Sequence, residues 1–418
     1  MKKSTIAYTL ICLILVGAAM INMSGCAMQV SAEDLMVGIT PNRLDLRADM
    51  ESLNPKVADF ALSLFHACEK SGKNTLISPL SVLSALSMTA NGARGETRSQ
   101  IEAVLGLDAD TLNAYLYTYG QQLFQTESVQ LNLANSIWLK DDPSLSVKSD
   151  FLQTNADYHG ASMYKAPFDK TTLQDINAWV KNKTDGAIPA LLEDLPEDAV
   201  MCLVNALVFQ AQWDDPYTKN QVRTGVFTKE DGVTQNADFL YGSEGVYYQD
   251  DQAVGFMKPY KGGKYGFLAL LPNEGVSISS YVSGLTGEKL TALLNEPHYT
   301  AVHTALPKFE ANYSVEMSDI LMAMGMSQAF HPFHADFGDL ATYNGENLYI
   351  KQVQHQSFLS VSEKGTQGGA ATAVLMAPRN AAPLETKEIY LNRPFVYMLI
   401  DCENNIPFFI GTMMEIGG

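Results

Sequence analysis

Seven histidines are spread over 418 residues, and of these His331 and His334 stand at a spacing a metal could use. No glutamate stands beside them, and Pro332 and Phe333 between them read as loop, so metal-assisted hydrolysis gains little support. Cys68, Cys202 and Cys402 are widely spaced with no Cys-x-x-Cys pair, which argues against zinc and against a disulfide framework. They read as small buried hydrophobes; one disulfide plus one free thiol is the alternative. The chain contains no GxSxG, HExxH, phosphate-binding loop or GxGxxG sequence. An enzyme of those classes is therefore not expected, and no cofactor or metal is implied.

The most unusual stretch lies near the C-terminus. From Gly365 to Pro378 (GTQGGAATAVLMAP) fourteen residues carry no charge and seven are Gly or Ala. An exposed loop normally carries polar turn residues, and clustered glycine weakens a fixed strand. At period two, Thr366, Gly368, Ala370, Thr372, Val374 and Met376 share one face. Gln367, Gly369, Ala371, Ala373 and Leu375 share the other. Either face could be buried without burying a charge, so the segment could leave solvent and enter a sheet. Its one proline comes at the far end, where a missing ladder bond matters least. Arg379 is the first charge beyond it. Taken alone, a small-residue linker or an ordinary Ala/Gly-rich strand explains the stretch equally well.

The elements that would position this segment are mixed. Asn54-Pro55 reads as a helix start, followed by Val57, Phe60, Ala61, Leu64, Phe65 and Cys68 at helical spacing. Ser78-Pro79 repeats the start signal, with a stop at Asn91-Gly92. A third helix is expected over Glu96–Leu105 and others over Asp175–Asn182 and Ser314–Met326. Strands are expected to end at Ile137–Leu139 and to cover Ala199–Phe209, Phe267–Leu271, Phe395–Ile400 and Phe408–Met413. The nearly uninterrupted apolar run AVMCLVNALVF suits a strand buried on both faces. Helices first and strands later indicate an α+β fold.

Composition is that of a globular chain, 46% hydrophobic and 18% charged. The net charge of −18 leaves no basic footprint, so no nucleic-acid partner is expected. Length alone would suggest two or three domains, yet no Pro/Gly/Ser linker divides Met50–Gly418. At the other end, Lys2 and Lys3 precede an apolar run over Ile6–Ile21 that is short for a membrane span, which reads as a secretory signal over 1–26. Met23-Ser24-Gly25-Cys26 resembles a bacterial lipobox, with Cys26 as the lipidated residue, although Met is a less usual first residue. Ordinary cleavage after Ala32 in Val30-Ser31-Ala32 is the alternative. Either route puts the folded part outside the cytoplasm, secreted or anchored to the outer face of a bacterial membrane, with residues 27–50 as a tether.

Several motifs in order resemble the serpin family over nearly all of residues 50–418. Glu363-Lys364-Gly365-Thr366 followed by GGAATA resembles the serpin hinge, and Asn392-Arg393-Pro394-Phe395 the signature after the reactive loop. NTLISPLS (74–81), NGARGETRSQ (91–100), Leu203-Val204-Asn205 with Trp213, Leu306-Pro307-Lys308-Phe309, Met324–Phe330, and His355 before Phe358 are further matches.

The resemblance implies a single domain over 51–418, with three β-sheets, eight or nine α-helices and an exposed reactive-centre loop at about 363–391 above a five-stranded sheet. It implies an inhibitor of serine endopeptidases acting as a suicide substrate. The cleaved loop inserts into the sheet as a new strand and carries the covalently attached protease with it, a device known as serpin loop insertion. Counting Glu363 as the first hinge residue, the cut falls after the seventeenth, at Arg379–Asn380, and Arg suits a trypsin-like pocket. Met376, Ala377 and Pro378 would tune specificity. The loop beyond Arg379 is about four residues longer than is usual in the family, which leaves room for cuts after Val374, Met376 or Ala377 by elastase-like, subtilisin-like or cysteine proteases.

By the same resemblance Glu363, Gly365, Thr366, Gly368, Gly369, Ala370 and Ala371 form the hinge. Ser78, Ser81, Asn205 and His355 form a hydrogen-bonded shutter beneath the sheet, and Trp213 marks the breach where insertion begins. The expected partner is the target protease, held covalently, with membrane contact through the N-terminal lipid and the chain itself a monomer. A non-inhibitory serpin is the rival reading; the permissive pattern of Gly365, Thr366 and GGAATA argues against it.

Overall fold

The computed structural model describes residues 30–123, 126–196, 199–343, 348–366 and 386–417. A short strand, β1 (Glu33–Asp34), comes first. Helices α1 (Met50–Cys68), α2 (Pro79–Ala90), α3 (Gly95–Leu105) and α4 (Ala109–Gln122) follow, with β2 (Thr75–Ile77) between the first two. Next come β3 (Val129–Lys140), β4 (Leu145–Val147), α5 (Ser149–His159), β5 (Ser162–Ala166), α6 (Lys170–Lys183) and β6 (Met201–Gln212). Strands β7 (Val222–Thr228), β8 (Thr234–Gln249), β9 (Ala253–Pro259) and β10 (Tyr265–Pro272) precede α7 (Ile278–Gly284) and α8 (Gly287–Asn295). The chain continues through β11 (His298–Pro307), β12 (Phe309–Glu316), α9 (Ser318–Ala323), β13 (Ala341–Tyr343), β14 (Gln352–Ser362) and β15 (Gly365–Thr366). It ends with β16 (Lys387–Tyr390), β17 (Phe395–Asp401) and β18 (Ile406–Met413). Nine α-helices thus lie among the described residues, in an α+β arrangement.

One large sheet runs β1-β5-β3-β6-β15-β14-β12. Five of these strands form its body; β1 is added at one edge and β15 in the middle. A second sheet runs β16-β11-β8-β9-β10-β17-β18-β2 with β7 on β8, and β13-β4 form a small ladder. Strand β6 is buried at every residue from Met201 to Phe209, as its apolar run requires. One face of the first sheet packs on the main core; Trp179, Ile176 and Val180 of α6 cover the other, over Ala134, Trp138, Val204, Ala206 and Val208.

Local signals explain most boundaries. Ser78 caps α2 through its hydroxyl and Pro79 opens it, and α3 ends at Gly106 with φ 73°, a conformation that glycine adopts without strain. Three expectations fail. Helix α1 starts at Met50 rather than Asn54, because Asp49 caps Ser52 N–H and leaves Pro55 inside the helix. Helix α6 begins earlier than Asp175, at Lys170, where Asp169 and Thr172 make a reciprocal capping box. Ser314–Glu316 belong to the end of β12, paired with Gln356–Gln354 of β14, and the following helix covers only Ser318–Ala323.

The segment read as a tether is also different from Val30 onward. Ser31 N–H and Oγ and Ala32 N–H donate to the Asp175 carboxylate at 3.0, 2.7 and 2.9 Å. Strand β1 then pairs antiparallel with β5, Asn42 N–H donates to Asp157, and Ala48 N–H donates to Thr118. Residues 30–49 are a docked strap along the sheet edge and helices α4 and α5. Cys26 lies outside the described residues.

Candidate functional site

Two hinge residues already lie inside the sheet. Gly365 and Thr366 pair antiparallel with Gln212 and Ala211 of β6, and with Ser362 and Val361 of β14. The expectation of an exposed loop from Gly365 onward is corrected at these two positions, which are buried. The remaining hinge residues Gly368, Gly369, Ala370 and Ala371 lie outside the described residues. So do Met376, Ala377, Pro378, Arg379 and Asn380.

Glycine is required at 365. Its φ is +146°, and an added Cβ would stand 2.0 Å from the Ala211 carbonyl oxygen. Thr366 is fully buried and its hydroxyl meets that of Tyr260 at 2.5 Å. Tyr260 in turn stacks on Trp213, with ring centroids 4.5 Å apart and planes at 14°.

Trp213 holds the turn that feeds the hinge. Its indole N–H donates to the Ser362 carbonyl and its backbone N–H to the Lys364 carbonyl, both at 2.9 Å. Tyr217 N–H donates to the Glu363 carbonyl at 2.9 Å. The Glu363 side chain accepts from Lys308 Nζ at 2.8 Å, and that contact holds the carboxyl below its usual range. The motif residues Trp213, Lys308 and Glu363, far apart in sequence, therefore meet at one end of β14.

Below the hinge, β6 and β14 pair directly and in parallel, from Cys202↔Gln352 to Val208↔Phe358. Asn205 and His355 are opposite one another on this seam. His355 Nε2 accepts from Ser78 N–H at 3.1 Å, so Nδ1 carries the proton. It donates that proton to Asn205 Oδ1 at 2.5 Å; the same oxygen accepts Ser81 Oγ at 3.2 Å. Ser78 Oγ accepts from Ser81 N–H, completing the expected four-residue cluster. Ser357, whose hydroxyl reaches His355 Nε2 at 2.8 Å, joins it. Burial lowers the His355 pKa from 6.5 to about 3, so the ring is neutral.

The seam bond has a direct mechanical meaning. A strand inserted between β6 and β14 would move them apart by about 4.8 Å, and a 2.5 Å side-chain bond cannot survive that. The cluster therefore opposes opening wherever the two strands touch.

Sequence reasoning missed Tyr260, Tyr217, Ser357, and a buried ion pair between Lys258 and Glu244 beneath Trp213. Tyr260 follows β9 by one residue and shares its period-two face with Lys258, so local patterning does not mark it as core, and its contact with Thr366 has no local signal. The rings of His331 and His334 lie 4.2 Å apart and are tilted by 41°, and among the described residues no group of three His, Cys, Asp or Glu could hold a metal. Cys68, Cys202 and Cys402 are free. Cys68 and Cys202 are buried as expected; Cys402 lies at an exposed residue of the turn after β17, because that turn reverses the chain at the surface.

The family model described as serpin (serine protease inhibitor) matches residues 55–416. An uncharacterised serpin-like protein of Thermococcus kodakarensis is 29% identical over 86% of this chain and 84% of its own length. Human antithrombin-III is 27% identical over 81% of this chain and 76% of its own. The crystal structure of the thermophilic serpin tengpin in its native state superposes with TM-score 0.88 at 40% identity, covering 92% of this chain and all of tengpin. In its latent state the same protein gives 0.77 at 38%, over 90% of this chain and all of tengpin.

Proposed function

The chain belongs to the serpin family, and we propose that it is a suicide-substrate inhibitor of trypsin-like serine endopeptidases, cut at Arg379–Asn380. The observation that carries this reading is β15. Gly365 and Thr366 already occupy the slot between β6 and β14, antiparallel to both. Continuing that register one residue at a time brings Met376 opposite Met201, the first residue of β6, and Leu375 opposite Gln352, the first of β14. The sheet is thus as long as the uncharged segment that would fill it. On that register Arg379 would fall three residues past its end, so the acylated residue would arrive beyond the far edge. From Gly365 to Arg379 the inserted chain would span about 50 Å.

The chemistry asked of this chain is small. Arg379 offers a guanidinium to an acidic pocket, and the protease serine attacks its carbonyl. Asn380 leaves with the new amine, and the ester to Arg379 remains. Deacylation then competes with insertion. Thr366, Gly368 and Ala370 carry no charge to be desolvated, which keeps insertion fast.

Incubation with trypsin-like and elastase-like proteases tests this. The expected result is an SDS-stable complex with the trypsin-like enzyme and a released fragment beginning at Asn380. Complexes formed only with elastase-like enzymes, and fragments beginning at Leu375, Ala377 or Pro378, would move the reactive bond. Cleavage without any stable complex would mean a non-inhibitory serpin.

We also propose that the protein is exported and acts as a monomer at the outer face of a membrane, with lipid on Cys26. The strap supports processing before Ser31, since cleavage after Ala32 would remove every donor seen on Asp175 from this segment. Mass spectrometry of the mature chain should find an acylated Cys26; an N-terminus at Glu33 would overturn it.

A further inference from the structure

We propose that the buried Lys258–Glu244 ion pair is a positioning device that holds the Trp213–Tyr217 segment rigid, and that this rigidity sets how efficiently the hinge starts insertion. The inference rests on the inhibitory reading for its consequence, but not for its geometry.

Lys258 lies on β9 and Glu244 on β8, and their side chains are 4% and 7% exposed. Lys258 Nζ donates to Glu244 Oε1 at 2.9 Å and to the Asp215 carbonyl at 3.2 Å. It also sits 4.3 Å from the centre of the Tyr217 ring and 5.5 Å from that of Trp213. One ammonium thus touches three residues of a five-residue segment. That segment makes the three bonds to the carbonyls of Ser362, Glu363 and Lys364. Those carbonyls belong to the turn from which β15, and any longer inserted strand, must start.

Burial on this scale is costly for two charges unless each is well partnered, and such a pair is seldom kept for stability alone. Two ordinary apolar side chains could fill the same space between β8 and β9. They could not bind the Asp215 carbonyl or attract the faces of two rings. The pair's distinguishing contacts are all on the segment that grips the hinge.

The consequence follows from a race. An acyl-enzyme is trapped when insertion outruns deacylation. If the turn at Ser362–Lys364 is loosely held, the first new rungs form in no fixed register, and more molecules are turned over as plain substrate. Association with the protease depends on the residues around the scissile bond and should not change.

Two variants of the full-length protein separate positioning from bulk stability. Lys258→Met leaves a buried carboxyl without its cation and should lower the melting temperature. Lys258→Met with Glu244→Leu removes both charges and should recover most of it. In both, the amides of Trp213 and Tyr217 should exchange with deuterium faster, by about tenfold. Both should also consume roughly threefold more inhibitor per trapped protease at an unchanged association rate, while Lys258→Arg retains most of the protection. Unchanged exchange in the double variant would overturn the proposal, as would inhibitor consumption returning to normal together with the melting temperature. If the wild type traps no protease, the inhibitory reading fails, and the exchange rates still decide the positioning role.

Discussion

The hydroxyls of Tyr260 and Thr366 lie 2.5 Å apart, and neither residue has any exposed surface. This bond latches the first inserted residues to the body of the protein. Tyr260 belongs to the main core, against Trp213 and Phe209, and Thr366 to the hinge, so the contact joins what is fixed to what must move. Tyr260→Phe would leave the threonine hydroxyl buried without a partner, at a cost of about 1–3 kcal/mol. Tyr260→Phe with Thr366→Val removes both polar groups and should be nearly neutral. Denaturant melts of the four species form a double-mutant cycle. A coupling near zero would mean that the bond does not hold the hinge.

Gly365 gives a sharper test of the inserted hinge. An alanine there would need a φ of +146° and a Cβ 2.0 Å from the Ala211 oxygen. The backbone cannot move away while Gly365 stays paired with Gln212. Gly365→Ala should therefore expel β15. Hydrogen exchange should show loss of protection at Gly365 and Thr366, and protease should be left uninhibited while the loop is still cut. Normal trapping by this variant would show that the hinge need not enter the sheet at Gly365.

Acid should weaken the seam. His355 is neutral in the fold, with its pKa lowered by burial from 6.5 to about 3, and His159 is lowered similarly for the same reason. Between these values the unfolded chain binds protons that the folded chain does not, so stability falls as pH drops below about 6.5. Each ring contributes about 1.4 kcal/mol per pH unit across that window. A protonated His355 could no longer accept from Ser78 N–H. Melts from pH 7.5 to 5 should show this slope, and His355→Asn should remove one ring's share of it. Parallel slopes for wild type and variant would refute the neutral buried assignment.

The elements readable from sequence are those written in consecutive residues. The apolar run of β6, the Ser78-Pro79 start and the Gly106 stop each need only local physics, and the structure keeps them. The shutter was legible by resemblance, because each of its members sits in a motif of its own. What escaped depends on partners far along the chain. Ser31 meets Asp175 across 144 residues, so a segment with no local reason to fold read as a tether. Lys258 and Glu244 carry charges on strands, which sequence patterning assigns to solvent; pairing of β8 with β9 buries them together. Pre-insertion of Gly365 and Thr366 was invisible for a related reason: the same uncharged residues suit a loop and a strand equally. Their present state depends on how far the seam below them is closed.

That closure yields the last prediction, a boundary along the loop. If the register of Thr366 with Ala211 continues, even-numbered residues as far as Met376 would face inward on the same side as Thr366. A charge on that side would have to be desolvated during insertion, while a charge past Met201 would reach solvent at the sheet's end. Thr366→Arg, Thr372→Arg and Val374→Arg should each turn the inhibitor into a substrate. Ala377→Glu should keep trapping, although its two-residue distance from the bond will alter the rate of attack. The ratio of stable complex to cleaved inhibitor on denaturing gels, followed along this series, should therefore switch between Val374 and Ala377. A switch much nearer the hinge would mean partial insertion is enough to hold the protease, and a smooth trend without any switch would mean that the register does not continue.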